Sequence, residues 1–282
     1  MKYTPRLPDE TANVTPGGPL REFALLFGGA LAVLAVLYLL LGAAVDRIVP
    51  HISTDLERKI GAYLLGSIPR SNGMDTVEER VLQTILNELM EGCIDLDYQP
   101  KVHFVSGDTV NAVALPGGHI VVFSGLLDRL DSLNETAFVL AHESGHFKHR
   151  DHLRVLGRSL VFMALSAAVF GGDSRVGNLL SGWLNIAEMG FSRKQETRAD
   201  EFALEVLNCR FGHVGGAADF FRAMGEGDGF EVVRHYFSTH PRNRKRIAHL
   251  AAYSRENGFS GGPPNPLPKA LRPTVPEESA DG

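Results

Sequence analysis

The stretch that most narrows what this chain can become is His142-Glu143-Ser144-Gly145-His146, which closes an apolar-periodic run from Leu133 to Phe147. In an α-helix, residues i and i+4 share a face, so His142 and His146 offer two imidazoles to one cation. Glu143 then lies beside that pair, placed to take a proton from a metal-activated water rather than to bind the metal itself. The start of the helix is also written: Ser132-Leu133-Asn134-Glu135 fits S-x-x-E, a capping box that satisfies backbone amides at a helix N-terminus.

A hydrolytic zinc site needs three protein ligands and an open fourth position, so a third ligand has to exist. Glu196 and Asp200 stand i and i+4 on a second periodic segment, whose apolar positions are Ala199, Phe202, Ala203, Val206 and Leu207. That spacing lets Glu196 bind zinc while Asp200 accepts a hydrogen bond from a ligand histidine and fixes its tautomer. By itself the charged run from Arg193 to Glu201 reads as a solvated face. The H-E-x-x-H upstream favours Glu196 as a ligand with Asp200 behind a ligand histidine.

These residues resemble the membrane-associated zinc metallopeptidases that include HtpX, BepA, the CAAX prenyl protease and a mitochondrial stress protease (peptidase family M48). The resemblance rests on four segments: Asn111-Ala112-Val113-Ala114-Leu115-Pro116-Gly117-Gly118-His119-Ile120, the His142–His146 motif, Ser192-Arg193 with Glu196 and Asp200, and Thr239-His240-Pro241 with Arg246, Ile247 and Leu250. It implies zinc on His142, His146 and Glu196, Asp200 behind them, and Glu143 as base. It also implies that a strand such as His119 to Phe123 borders the cleft with a free edge for an extended peptide, and that Asn111, Ala112, Val113 and Ala114 bind substrate. His240 has two open roles, as donor to the oxyanion, which is favoured, or as a resting-state ligand that keeps water out. Many members carry His where this chain has Asp151, so no role is assigned there.

Residues 1–22 lack periodicity and are expected to form a loose tail. Phe23 to Val45 runs 23 residues without a charge, about 34 Å as a helix, which suits a bilayer core of about 30 Å. We expect a single membrane anchor there, in the inner (cell) membrane. Lys2, Arg6 and Arg21 before it are balanced by Arg47, Arg58 and Lys59 after it, so flanking charge gives no orientation. The short tail and the resemblance favour a catalytic domain outside the cytoplasm, facing the periplasm. Net charge −5 and a pI near 6.1 leave no basic footprint for nucleic acid. Cys93 and Cys209 are expected as buried free thiols, pairing only if the domain faces an oxidising compartment.

Helices are expected over Thr54 to Leu65 and Asp75 to Met90, and strands over Val102 to Val105 and His119 to Phe123. Leu160 to Phe170 and Leu179 to Ile186 are each too short to span, so a buried helical hairpin is expected, with contact to the same membrane as the alternative. Gly215 to Met224 and Arg242 to Tyr253 read as closing helices. After Gly258 the Pro/Gly-rich run is expected to build no core. The chain therefore reads as mainly α with a small β-sheet, a gluzincin-type metallopeptidase domain over residues 46–257 behind one transmembrane helix. The expected function is zinc-dependent hydrolysis of peptide bonds, in misfolded or damaged membrane and envelope proteins by analogy. The rival is a zinc-stabilised chaperone or scaffold that binds extended peptides with little cleavage.

Overall fold

The computed structural model describes residues 18–68, 75–170, 190–223, 240 and 244–272. It is mainly helical with one small sheet, as expected. The first helix, α1 (Pro19–Ile48), outruns the charge-free stretch by a few residues at each end. Its large apolar side chains are exposed, Leu26 at 76% and Leu39 at 68%, and Gly42 is its only buried residue. Helices α2 (Thr54–Gly66) and α3 (Val77–Cys93) follow, each with a side-chain cap, from Ser53 and Thr76.

Three strands come next: β1 (Lys101–Val105), β2 (Ala112–Leu115) and β3 (His119–Phe123), in the order β1-β3-β2. β1 pairs parallel and β2 antiparallel to β3. The period of two sorts their side chains: Val102, Ala112, Ala114, Ile120 and Val122 face the main core, while Val105, Val113, Leu115, Val121 and Phe123 form a second cluster with Ile68. Gly117 and Gly118, at φ 80° and 83°, make the β2–β3 turn in a region L side chains rarely adopt. α2 crosses this turn so closely that a Cβ on Gly61 would lie 1.8 Å from the Pro116 carbonyl oxygen.

After a single turn, α4 (Ser124–Leu127), comes α5 (Leu133–Lys148), the helix of the paired histidines. Its capping box forms as read: Ser132 Oγ accepts from the Glu135 amide and Glu135 accepts from the Ser132 amide. Arg150, at φ 53°, breaks the helix into α6 (Asp151–Phe170). α7 (Arg193–Phe211), α8 (Ala217–Ala223) and α9 (Arg244–Glu256) complete the domain. Phe138, Leu140, Leu204 and Leu207 are fully buried in the core that α5 and α7 share with α3 and the sheet.

Three expectations change. Cys93 and Cys209 form a disulfide, with Cys93 half-buried and Cys209 exposed, so they are neither free nor buried thiols. The last turn of α3 and the end of α7 pack side by side, which sequence separation concealed.

The segment after Gly258 does build core. Leu267 and Leu271 are buried, the Asn265 carbonyl accepts from the Leu133 amide, and Asn134 Oδ1 accepts from the Asn265 amide. An extended Pro-rich strap needs no internal hydrogen bonds when the start of α5 supplies them.

α6 is not a wholly buried helix, and it lies along α1. A Cβ on Gly157 would meet Val45, Arg158 approaches Gly42, and Leu160, Phe162 and Val169 are exposed. Both α1 and α6 are long and apolar enough to cross a membrane. Leu179 to Ile186 lies outside the described residues.

A buried carboxylate ties the foot of α1 to this frame. Glu57 accepts from Arg150 Nη2 at 2.9 Å, contacts His152 Nε2 at 2.8 Å, and accepts from the Gly117 amide and the Tyr98 hydroxyl, each at 3.3 Å. Burial pushes its pKa up, but His152, the Gly117 amide and Arg150 outweigh that and bring it down to about 2. Arg150 also donates to the Val49 carbonyl at 2.9 Å. One charged node therefore joins the base of α1, α2, the β2–β3 turn and the end of the histidine helix.

Candidate metal centre

α5 and α7 approach unusually closely because Gly145, between the two histidines, carries no side chain. A Cβ there would sit 3.1 Å from the Ala199 Cα and from Phe202. The close approach brings Glu196 on α7 across from His142 and His146 on α5. His142 Nε2 lies 3.7 Å from Glu196 Oε2, and His146 Nε2 lies 3.5 Å from Glu196 Oε1. All three side chains are buried, as is His240.

His240 enters the same cluster from the other side. Its Nδ1 is 3.0 Å from Glu196 Oε1 and 3.3 Å from His142 Nε2, and its Nε2 is 3.4 Å from Glu143 Oε1. One donor atom from each of His142, His146, Glu196 and His240 lies within 4.8 Å of the others. Thr239 and Pro241 lie outside the described residues.

The outward nitrogens of the two α5 histidines each face a carboxylate. His142 Nδ1 is 3.1 Å from Asp200 Oδ1, as the sequence suggested, and His146 Nδ1 is 3.4 Å from Asp151 Oδ2, which it did not. Both pairs leave Nε2 directed at the common centre. Phe191 stacks on the His146 ring at 3.6 Å between centroids and 10° between planes, which fixes the ring's tilt.

Asp151 was missed because five residues of continuous helix would turn it away from His146. The left-handed Arg150 folds it back, and Arg carries no sequence signal for that conformation. Gln195 Nε2 and Arg198 Nη2 then donate to its other oxygen, at 2.9 and 3.1 Å.

Arg246 on α9 was named in the resemblance but given no role. Its Nε and Nη2 donate to the two oxygens of Asp200 at 2.8 and 2.6 Å, and Nη1 lies 2.6 Å from Glu196 Oε2. One guanidinium thus holds both α7 carboxylates, leaving Glu196 Oε1 on the side of the histidines.

The electrostatics follow from burial opposed by pairing. Burial pushes Glu196 up, but His240 and Arg246 hold it well below the usual carboxylate range. Asp200 and Asp151 are likewise lowered against burial, by Arg246 and His142 and by His146 and Gln195 respectively. Burial lowers His142 despite Asp200 and Glu196, whereas Asp151 and Glu196 overcome burial at His146 and raise it to about 9.

The donor set fits a zinc ion: imidazole and carboxylate ligands in a buried cluster, each α5 histidine with a carboxylate behind it. His146 Nε2 and both Glu143 carboxylate oxygens are buried and form no hydrogen bond among the described residues, a costly state that a cation and its water relieve.

Two imidazoles and a carboxylate from facing helices, with a further carboxylate beside them, define a metallopeptidase of the H-E-x-x-H class. The chain belongs to peptidase family M48, whose sequence profile matches residues 76–254. It is similar to the mitochondrial metalloendopeptidase OMA1 of Danio rerio, 30% identical over 198 residues that cover 65% of this chain and 41% of that one. It is also similar to two metalloproteases of Escherichia coli. LoiP is 31% identical over 60% of this chain and 68% of its own, and YcaL is 29% identical over 53% and 59%. The chain spans 31 to 52% of the length of the three OMA1 relatives from Danio rerio, Schizosaccharomyces pombe and Arabidopsis thaliana.

Proposed function

We propose that the protein is a membrane-anchored zinc endopeptidase that cleaves extended segments of protein substrates. The observation that carries this reading is Glu143, buried beside a ready-made zinc donor set with neither oxygen hydrogen-bonded among the described residues. In this reading His142, His146 and Glu196 hold the metal, which supplies Lewis acidity to an attacking water and to the scissile carbonyl. Glu143 takes the water's proton and returns it to the leaving amine. Asp200 and Asp151 keep the Nδ1 protons of the ligand histidines in place, so that both Nε2 lone pairs face the centre.

Substrate would bind along β2. The expected free edge does not lie on His119 to Phe123, since β3 is paired on both sides. Among the described residues β2 pairs only with β3, but Asn111 and Ala112 to Ala114 are buried, so a peptide would pair there once what covers that edge moves aside. Recognition through main-chain hydrogen bonds reads extension rather than side chains. It therefore suits misfolded or damaged membrane and envelope proteins as substrates.

α1 is the anchor in this reading, with its apolar surface turned to lipid. The disulfide supports a catalytic domain outside the cytoplasm, because such bonds persist in oxidising compartments.

Elemental analysis of the purified chain should find one zinc per molecule, and unfolded casein should be cleaved. A zinc chelator should stop cleavage, and added zinc should restore it. Cleavage that persists in the metal-free protein would end the reading.

For His240, the distances favour the resting-state ligand over the oxyanion donor. Its Nδ1 faces the metal donors and its Nε2 faces Glu143, where base and water have to meet. His240→Ala is then expected to raise basal proteolysis, about tenfold if one molecule in ten is open at rest. A fall in turnover of about 100-fold would instead make His240 the oxyanion donor.

A further inference from the structure

Between the end of α1, the first half of α6 and the start of α7 lies a cavity of about 690 Å³, apart from the metal centre. Tyr38 and Phe162 line one part of it, and Arg154, Arg158, Lys194 and Arg198 another. Asp46 is the one carboxylate in its wall among the described residues, 2.6 Å from Arg158 and 3.7 Å from Arg154. Asp151, wholly buried behind the wall, takes Arg198 and Arg154 at 3.1 and 3.6 Å. Among the described residues, even with both carboxylates counted, cations exceed anions by two, and Lys194 faces no carboxylate. The N-terminus of the 19-residue helix α7 adds its positive end through Ser192.

The cavity's place in the fold decides what kind of anion suits it. α6 runs antiparallel beside α1, with Gly157 on Val45 and Arg158 near Gly42. The arginines therefore stand level with the exit of the charge-free stretch, while Tyr38 and Phe162 lie further along its apolar part. A soluble phosphate would have no use for that apolar end. A phospholipid would fill both parts.

We propose that this cavity binds an anionic phospholipid, its phosphate on Arg158 and Lys194 with Arg154 and Arg198 behind, and its acyl end along Tyr38 and Phe162. The inference rests on the reading of α1 as a membrane anchor. It also gives lipid a short route to the metal centre, because Arg154 and Arg198 hold the carboxylate that faces His146.

The test is native mass spectrometry of the full chain in neutral detergent, titrated separately with phosphatidylglycerol, phosphatidylcholine and glycerophosphate. One phosphatidylglycerol per chain is expected, held at least about tenfold more tightly than phosphatidylcholine, with the preference lost in the Arg158→Gln, Lys194→Gln double variant. Retained zinc would show that this variant is folded. Neutralising the exposed Arg255 and Lys269 should leave the preference unchanged. Equal binding of the two lipids, a preference that survives in the double variant, or glycerophosphate binding as tightly as lipid would each overturn the proposal. Carbonate extraction of membranes separates the two readings. Release of the wild-type chain ends the anchor reading and the lipid site with it, whereas a chain that resists extraction but does not distinguish the lipids loses the site alone.

Discussion

Glu143→Gln is expected to keep its zinc and its fold while turnover on unfolded casein falls at least about 100-fold, the usual span of a lost general base being 10² to 10⁴. The amide matches the carboxylate in shape and still hydrogen-bonds, so the packing of α5 against α7 has no reason to change. What it loses is basicity. Glu143 is wholly buried, and among the described residues no other carboxylate is so placed: Asp200 and Asp151 are turned to the far nitrogens of the histidines, and Glu196 is engaged by Arg246. Among the described residues no second base is therefore at hand to take over. Zinc content and turnover are measured on the same preparation. Full turnover in a zinc-loaded variant would remove Glu143 from the chemistry, and a peptide-binding scaffold would become the better account of the site.

Local signals carried much of this arrangement into the sequence. The capping box at Ser132 and the i, i+4 spacing of His142 and His146 depend only on helix geometry, and the helix formed where they place it. Glu196 and Asp200 followed from the same rule on α7. β1 and β3 were legible from β-branched and aromatic residues, β3 to the residue and β1 to within one. β2 was not read as a strand, because Ala-Val-Ala-Leu has little β propensity of its own and is held by pairing to β3 and packing on α5.

What stayed hidden depends on long-range or unsignalled geometry. Asp151 reaches His146 only through the left-handed Arg150. The Cys93–Cys209 bridge spans 116 residues. The strap after Gly258 is ordered by partners more than 100 residues away, at Ser132 to Asn134. Composition describes a segment in isolation and is silent about what a neighbour will satisfy.

Arg246→Met should destabilise the metal-free protein far more than the zinc-loaded one. Arg246 is 5% exposed and is the cation that serves both Glu196 and Asp200. Methionine fills a similar volume but leaves two buried carboxylates without that charge, and breaking such a buried pair from one side costs about 3–5 kcal/mol. The contact of the guanidinium with the Phe221 ring, at 4.6 Å, would be lost as well. Zinc changes the balance, since a divalent ion held by Glu196, His142 and His146 would neutralise Glu196 and leave only Asp200, facing His142, without that charge. Urea unfolding in chelator and in excess zinc measures both values. Losses of less than about 1 kcal/mol in both conditions would show that Arg246 is not the counter-ion of this site.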